Sequence, residues 1–207
     1  MAEANPTQQP PHPLTTTAAS TGRAPITAAA TAFLESYARA MHLADPGSSN
    51  AAAATSADLG AVAAALAAHY GTGCTAYTLT HHVSLPSAEA WLPGIAEHLA
   101  RFERAGLGCD IRLARRRVEP VSEGSALCWL TWRIRPREEA GREGWEWENV
   151  YAYRRAPPGG AAEEGAKRIG AEGGAEGWEK PEGWWEFIVS DNELSSLLAR
   201  VPDFMTR

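Results

Sequence analysis

The sequence predicts an α+β fold, with three helices in its N-terminal half, a mostly antiparallel sheet and a short closing helix. Three observations lead there. Two stretches of helical periodicity, 27–41 and 56–70, precede the first strand-like run, and a third, 88–106, follows it. From residue 109 to 190 the period changes to two, and aromatic or aliphatic residues alternate with charged ones, as a sheet with one buried face requires.

Taken in order, "TAAATAFLESYARAM" sets Phe33, Leu34, Tyr37 and Met41 on one helical face, with Glu35 and Arg39 at i and i+4 on another. "SADLGAVAAALAAHY" gives a second helix with Leu59, Val62, Leu66 and Tyr70 as its apolar face. Ser56 or Asp58 is its expected cap, and "GTG" its stop. The run from Cys74 to Leu85 reads as one strand. Alternation along it puts Tyr77, Leu79, His81, Val83 and Leu85 on one face and Thr78, His82 and Ser84 on the other. Pro86 breaks the run and Ser87 caps a third helix with Glu89 in its first turn. Pro93 and Gly94 place the firm start of that helix near Leu92.

Four strands are then expected, at 109–121, 125–136, 144–155 and 184–193. The second sets Cys128, Leu130, Trp132 and Ile134 inward, and the third Trp145, Trp147, Asn149, Tyr151 and Tyr153. The fourth sets Trp185, Phe187, Val189 and Asp191 inward, and "NELSSLLARVP" closes the fold as a helix. Trp129 and Trp184 point outward, where rings are better explained by a homodimer interface than by solvent.

Residues 1–25, rich in Pro, Thr, Ala and Gln, lack apolar periodicity and read as a disordered tail. The remainder, 26–207, reads as one domain carrying a flexible low-complexity insertion at about 156–182.

Composition excludes several function classes. A net charge of -6 gives no footprint for nucleic acid. The one basic cluster, "RLARRRV", would point Arg115 and Arg117 one way and Arg112 and Arg116 the other if it lies on a strand. No apolar stretch approaches a membrane span, and the N-terminus has no secretory pattern. Cys74, Cys109 and Cys128 form no CxxC pair and read as reduced thiols, so a cytoplasmic chain with neither membrane nor nucleic-acid partner is expected. No Gly-rich loop opens a helix after a strand, no GxSxG occurs, and the histidines lack ligand spacing. Neither a cofactor nor a metal is expected.

The element order, with "THHV" followed by "AEAWLPGIAEHLARFE" and then "ALCWLTWRI", "GWEWENVYAYR" and "WWEFIVSDNEL", resembles the nuclear transport factor 2-like superfamily, and in particular small SnoaL-like proteins of fungi. The resemblance implies a cone: a curved sheet wrapped round helices and enclosing a cavity. It also implies either a hydrophobic pocket for a small apolar molecule, with cofactor-independent isomerisation, dehydration or cyclisation, or a non-catalytic dimerisation or interaction scaffold. Enzymes of the superfamily often carry an acid or base near the strand after the second helix, matched here by His81 and His82, and a hydrogen-bonding Tyr on the first helix, matched by Tyr37. The acidic base of the steroid isomerases has no counterpart at that position.

The candidate site follows. His81 is the expected base, with Tyr37, Asn149 or Asp191 polarising a ligand and Trp132, Trp147 and Trp185 lining the pocket. Each has a plainer alternative: a packed core histidine for His81, a backbone hydrogen bond for Asn149, a helix cap for Asp191, and ordinary core for the rings.

Overall fold

The computed structural model describes residues 23–42, 56–79, 81–157 and 182–206. The expected tail up to residue 22 and most of the expected insertion lie outside these residues, as do the side chains of the expected caps Ser56 and Asp58. The chain runs α1 (Ile26–His42), α2 (Ser56–Ala67), β1 (Tyr70–Thr78), β2 (His81–Ser84), α3 (Ala88–Arg104), β3 (Ile111–Ser122), β4 (Ser125–Ile134), β5 (Trp145–Arg154), β6 (Trp184–Val189) and α4 (Asp191–Arg200). The six strands form one curved, open sheet in the order β2-β1-β6-β5-β4-β3. Every pairing is antiparallel except β1 with β6. The class is the α+β one expected, with three helices against a mostly antiparallel sheet and a short C-terminal helix.

Amphipathicity seats α1. Ala30, Phe33, Leu34 and Tyr37 are buried on its inner face, and the Phe33 ring meets Trp185 at 4.8 Å and Tyr153 at 5.1 Å between centroids. Burying each such side chain contributes about 1.5–3 kcal/mol, so this seam is a main source of stability. On β4, Cys128, Leu130, Trp132 and Ile134 are buried, and on β5 so are Trp145, Trp147, Asn149, Tyr151 and Tyr153. Both inner faces are the expected ones.

Four local features differ from expectation, each for a physical reason. The run 74–85 is a hairpin: the chain reverses at Leu79, whose φ of 49° lies in the left-handed region, and Thr78 pairs with His81. Alternation therefore does not carry across the turn. All four β2 residues are exposed, which corrects the inward placement of His81.

The second difference lies in α3, which begins at Ala88 rather than near Leu92. The Ser87 hydroxyl accepts from the Ala90 N–H at 3.3 Å, and the helix carries Pro93 inside it. In β6, the partners shift from Tyr153↔Trp185 to Ala152↔Phe187, leaving Glu186 as an extra residue. The bulge buries Trp185 and Ile188 while Phe187 and Val189 are half-buried, so period two fails there.

A similar bulge on β3, at Ala114, brings Arg112, Arg115 and Arg117 opposite Arg133, Thr131 and Trp129 on one face. The three arginines thus share a side, contrary to the expected split, while Arg116 stands opposite Leu130. They are charge-compensated: Arg112 pairs with Asp110 at 2.6 Å, Arg115 with Glu146 at 2.7 Å, and Arg117 with Glu119. The Arg117 guanidinium also stacks over the half-buried Trp129 ring, 3.8 Å from its centroid. Trp184, half-buried as well, lies so close to Gly71 that a Cβ there would come within 2.1 Å of its Cδ1. Both outer rings thus have a neighbour within the chain. No described helix is long and apolar enough to cross a membrane.

Candidate functional site

The inner faces of β4 and β5 and the inner stripe of α1 bring one aromatic surface together. The Tyr37 ring stands 6.0 Å from Trp132, 5.8 Å from Tyr151 and 5.7 Å from Trp185, each edge to face. Its hydroxyl and that of Tyr70, at the start of β1, are 3.0 Å apart, and the Tyr70 ring packs on Trp91 of α3 at 5.1 Å. Of the expected site residues, Tyr37, Trp132, Trp147, Asn149 and Trp185 are all buried on this interior surface. Their inward placement follows from period two on β4 and β5 and from the helical face of α1.

Sequence reasoning missed the charged member of the cluster. Glu193, in the first turn of α4, points back onto β5, with its side chain 16% exposed. The Asn149 amide donates to its Oε2 at 2.7 Å, and the His98 imidazole of α3 lies 2.8 Å from its Oε1. Burial alone would push this carboxyl up. The hydrogen bond and charge of His98, then the Asn149 amide and the nearby Trp147 indole, outweigh burial and hold it below the usual carboxylate range. Glu193 is therefore ionised at neutral pH.

The phenols respond oppositely. Burial, then the neighbouring phenols, pushes Tyr37 and Tyr151 well above their ordinary value and raises Tyr70 as well; the Glu193 charge adds to all three. They stay neutral and can donate hydrogen bonds. Several buried polar atoms have no hydrogen-bond partner: the indole Nε1 of Trp91, Trp132, Trp147 and Trp185, and Oδ1 of Asn149. An interior normally satisfies its polar groups, so these atoms, with the Trp147 indole directed toward Glu193, are exceptions to that rule gathered on the buried aromatic face.

α4 covers this surface by polar contacts more than by apolar ones. Only Leu197 is buried on it. Asp191 accepts from the Leu79 N–H at the β1–β2 turn, Asn192 accepts from the Glu148 N–H at 2.9 Å, and Ser196 Oγ accepts from the Trp145 indole at 3.2 Å. Asp191, expected to face a ligand or cap α4, instead ties the hairpin turn to the helix start, and Ser190 occupies the N-cap position. His81 is exposed at the edge of the sheet and does not join the cluster.

A signal for Glu193 existed: it stands four residues before the buried Leu197, on the same helical face. His98 likewise precedes the buried Phe102 by four, with ring centroids 5.2 Å apart. A carboxylate and an imidazole on apolar helical faces were the marks to follow.

A second buried pair is sealed rather than open. Ser36 Oγ lies 3.0 Å from His69 Nε2, and His69 Nδ1 lies 2.9 Å from the Ala65 carbonyl. The carbonyl can only accept, so Nδ1 carries the proton and Ser36 donates to Nε2. Both residues are fully buried, with Phe33 and Tyr37 edge to face on the imidazole, so the pair locks α1 to the end of α2. Two shallow open grooves mark the surface, one between Arg142, Trp145 and Arg200 and one between α1 and β3. Among the described residues no group of three His, Cys, Asp or Glu side chains is placed to hold a metal ion.

No family model and no curated protein matches the chain. Among solved structures, it is similar to an NTF-2 like protein of unknown function from Shewanella oneidensis MR-1, 8% identical over 79% of this chain and 96% of that one, with a TM-score of 0.45. Aln2 from a Streptomyces species is 17% identical over 86% and 99%, at 0.46. The Mtr2–Mex67 M domain complex of C. albicans is 10% identical over 79% and 93%, at 0.41. At these scores the likenesses carry no argument about activity, and the architecture rests on the strand order and helix packing described above.

Proposed function

We propose that the chain is a SnoaL-like pocket protein that binds a small, largely apolar molecule against the surface of Tyr37, Trp132, Trp147, Asn149, Tyr151 and Trp185. One observation carries this reading: buried indole N–H groups and the Asn149 carbonyl are left without partners on an aromatic surface beside an ionised carboxylate. Access is by movement of α4, whose hold on the sheet is mainly polar and whose only buried side chain is Leu197.

The same groups favour binding over proton-transfer turnover. A general base works best with a pKa near the operating pH, whereas Glu193 is held low and the three tyrosines high. Neither an efficient base nor an efficient acid is thereby tuned. Isomerase, dehydratase and cyclase chemistry would need a ligand that itself shifts these groups.

The test is a thermal-shift screen of diverse small apolar molecules on wild type, Asn149→Leu and His81→Ala. Binding that stabilises wild type and His81→Ala alike but is lost in Asn149→Leu supports the reading. Stabilisation lost in His81→Ala alone would move the site to the sheet edge.

A second reading, a protein-interaction scaffold, has its own support. Tyr77, Leu79 and Val83 expose 43–45% of their surface beside the edge strand β2. A dimer measured by light scattering and dissolved by Val83→Asp would favour it.

A further inference from the structure

We infer that the groove between the β4–β5 connection and the end of α4 is a binding site for a small carboxylate, held between Arg142 and Arg200. The groove has a volume of about 260 Å³ and is lined by Arg142, Glu143, Gly144, Trp145 and Arg200. It shares no residue with the proposed interior surface.

Both guanidiniums are held from within the chain. Arg142 Nη1 donates to the Arg200 carbonyl at 2.7 Å, and Arg200 Nη1 donates to the Ser196 carbonyl at 3.0 Å. The Arg200 guanidinium also lies over the Trp145 ring, 4.9 Å from its centroid, and that ring is anchored by its indole N–H to Ser196 Oγ at 3.2 Å. Gly144 lets the chain pass close to β4 here, since a Cβ on it would come within 2.7 Å of the Ile134 carbonyl. A ligand therefore meets two exposed guanidiniums whose side-chain freedom is already reduced.

Charge singles these two out. On the sheet and α3, arginines are matched by carboxylates, as Arg115 is by Glu146, Arg137 by Glu103 and Arg154 by Glu186. Among the described residues neither Arg142 nor Arg200 has a carboxylate within ion-pair distance, although the whole chain carries a net charge of -6. Their bonded partners are neutral carbonyls, so each fork keeps Nε and Nη2 for another acceptor. Glu143 lines the groove without pairing with either. One carboxylate against two guanidiniums leaves one positive charge in excess, which a monoanion balances and a dianion overshoots. The two coplanar oxygens of a carboxylate match guanidinium forks in shape as well as charge. Once bound, it joins the approach to β5 to the last residue of α4, fastening at its C-terminal end the helix that Glu193 fastens at its N-terminal end.

Benzoate and benzamide, alike in shape and different in charge, test this when titrated at pH 7 and low salt while the Trp145 Nε1–H resonance is followed by nuclear magnetic resonance. Benzoate should shift that resonance saturably and bind at least about tenfold more tightly than benzamide, because charge-assisted bonds become neutral ones in the amide. Arg142→Gln and Arg200→Gln, each first checked for a cooperative thermal transition, should weaken benzoate binding about tenfold apiece. Arg115→Gln, which removes an arginine already matched by Glu146, should leave it unchanged.

Equal binding of benzoate and benzamide, or no saturable shift at Trp145, would overturn the inference. Equal weakening by all three variants would overturn it in favour of diffuse surface charge. Tighter binding of phenyl phosphate than of benzoate would overturn it in favour of a dianion site. Each of these results leaves the interior-surface reading standing, since the two sites have no residue in common.

Discussion

The Asn149 amide donates to the Glu193 carboxylate at 2.7 Å, joining the centre of the sheet's inner face to the first turn of α4. This contact, with the His98 imidazole 2.8 Å from the other carboxylate oxygen, ties α3, β5 and α4 at one point. It makes Glu193 the point at which these three elements are held together.

Glu193→Gln keeps the shape and removes the charge. Hydrogen bonds to a charged group contribute about 1.5–3 kcal/mol, and urea unfolding at pH 7 should show a loss within that range. The sign with pH follows from the lowered carboxyl. Its stabilisation is fully present above the unfolded carboxyl value, about 4.3, and is lost as pH falls through the lower folded value. Wild type and Glu193→Gln should therefore converge in stability on acidification below that value. A gap that widens there would show that the carboxylate is not the stabilised form.

Amide hydrogen exchange should find α4 the least protected of the helices that cover the sheet, because it buries one side chain where α1 buries six. Glu193→Gln should accelerate exchange in α4 with little change in α1. Uniform acceleration would place the effect in global stability instead.

The three thiols should be silent in the folded chain. All are buried, and burial pushes Cys74 and Cys128 up to about 12 and Cys109 higher still. An aromatic disulfide reagent at pH 8 should label them only at the rate of unfolding. Rapid labelling of any one in native buffer would contradict its placement.

Gly71 is required for space rather than for its backbone angle, since a Cβ would strike the Trp184 indole at 2.1 Å. Gly71→Ala should cost about 1–3 kcal/mol by forcing that ring aside, measured by chemical denaturation. A neutral outcome would mean that Trp184 is free to swing outward.

Much of the fold was legible because period two and helical faces are set by backbone geometry alone. The inner rows of β4 and β5 and the apolar stripe of α1 could be read directly, and with them Tyr37, Trp132, Trp147, Asn149 and Trp185. What failed is what periodicity does not encode. The reversal at Leu79 resets alternation, so His81 moved from the inner face to the edge. The extra residue Glu186 shifts the end of β6, and the bulge at Ala114 gathers three arginines on one face. Glu193 was overlooked beside Asp191 because two acidic residues at a helix start both read as ordinary first-turn charges. Only the packing of α4 onto β5 separates the one that reaches Asn149 from the one that reaches Leu79.

The most direct test observes the indole N–H groups themselves. The sequence holds eight tryptophans, and their Nε1–H resonances, assigned with single Trp→Phe variants, can be followed by nuclear magnetic resonance while a small apolar molecule that stabilises the wild type in the thermal-shift screen is added. Binding at the interior surface should shift the resonances of Trp132 and Trp147 and leave those of Trp129 and Trp184, on the outer face, unmoved. Shifts confined to the outer pair, or none at saturating ligand, would contradict the claim that the interior surface is a binding site.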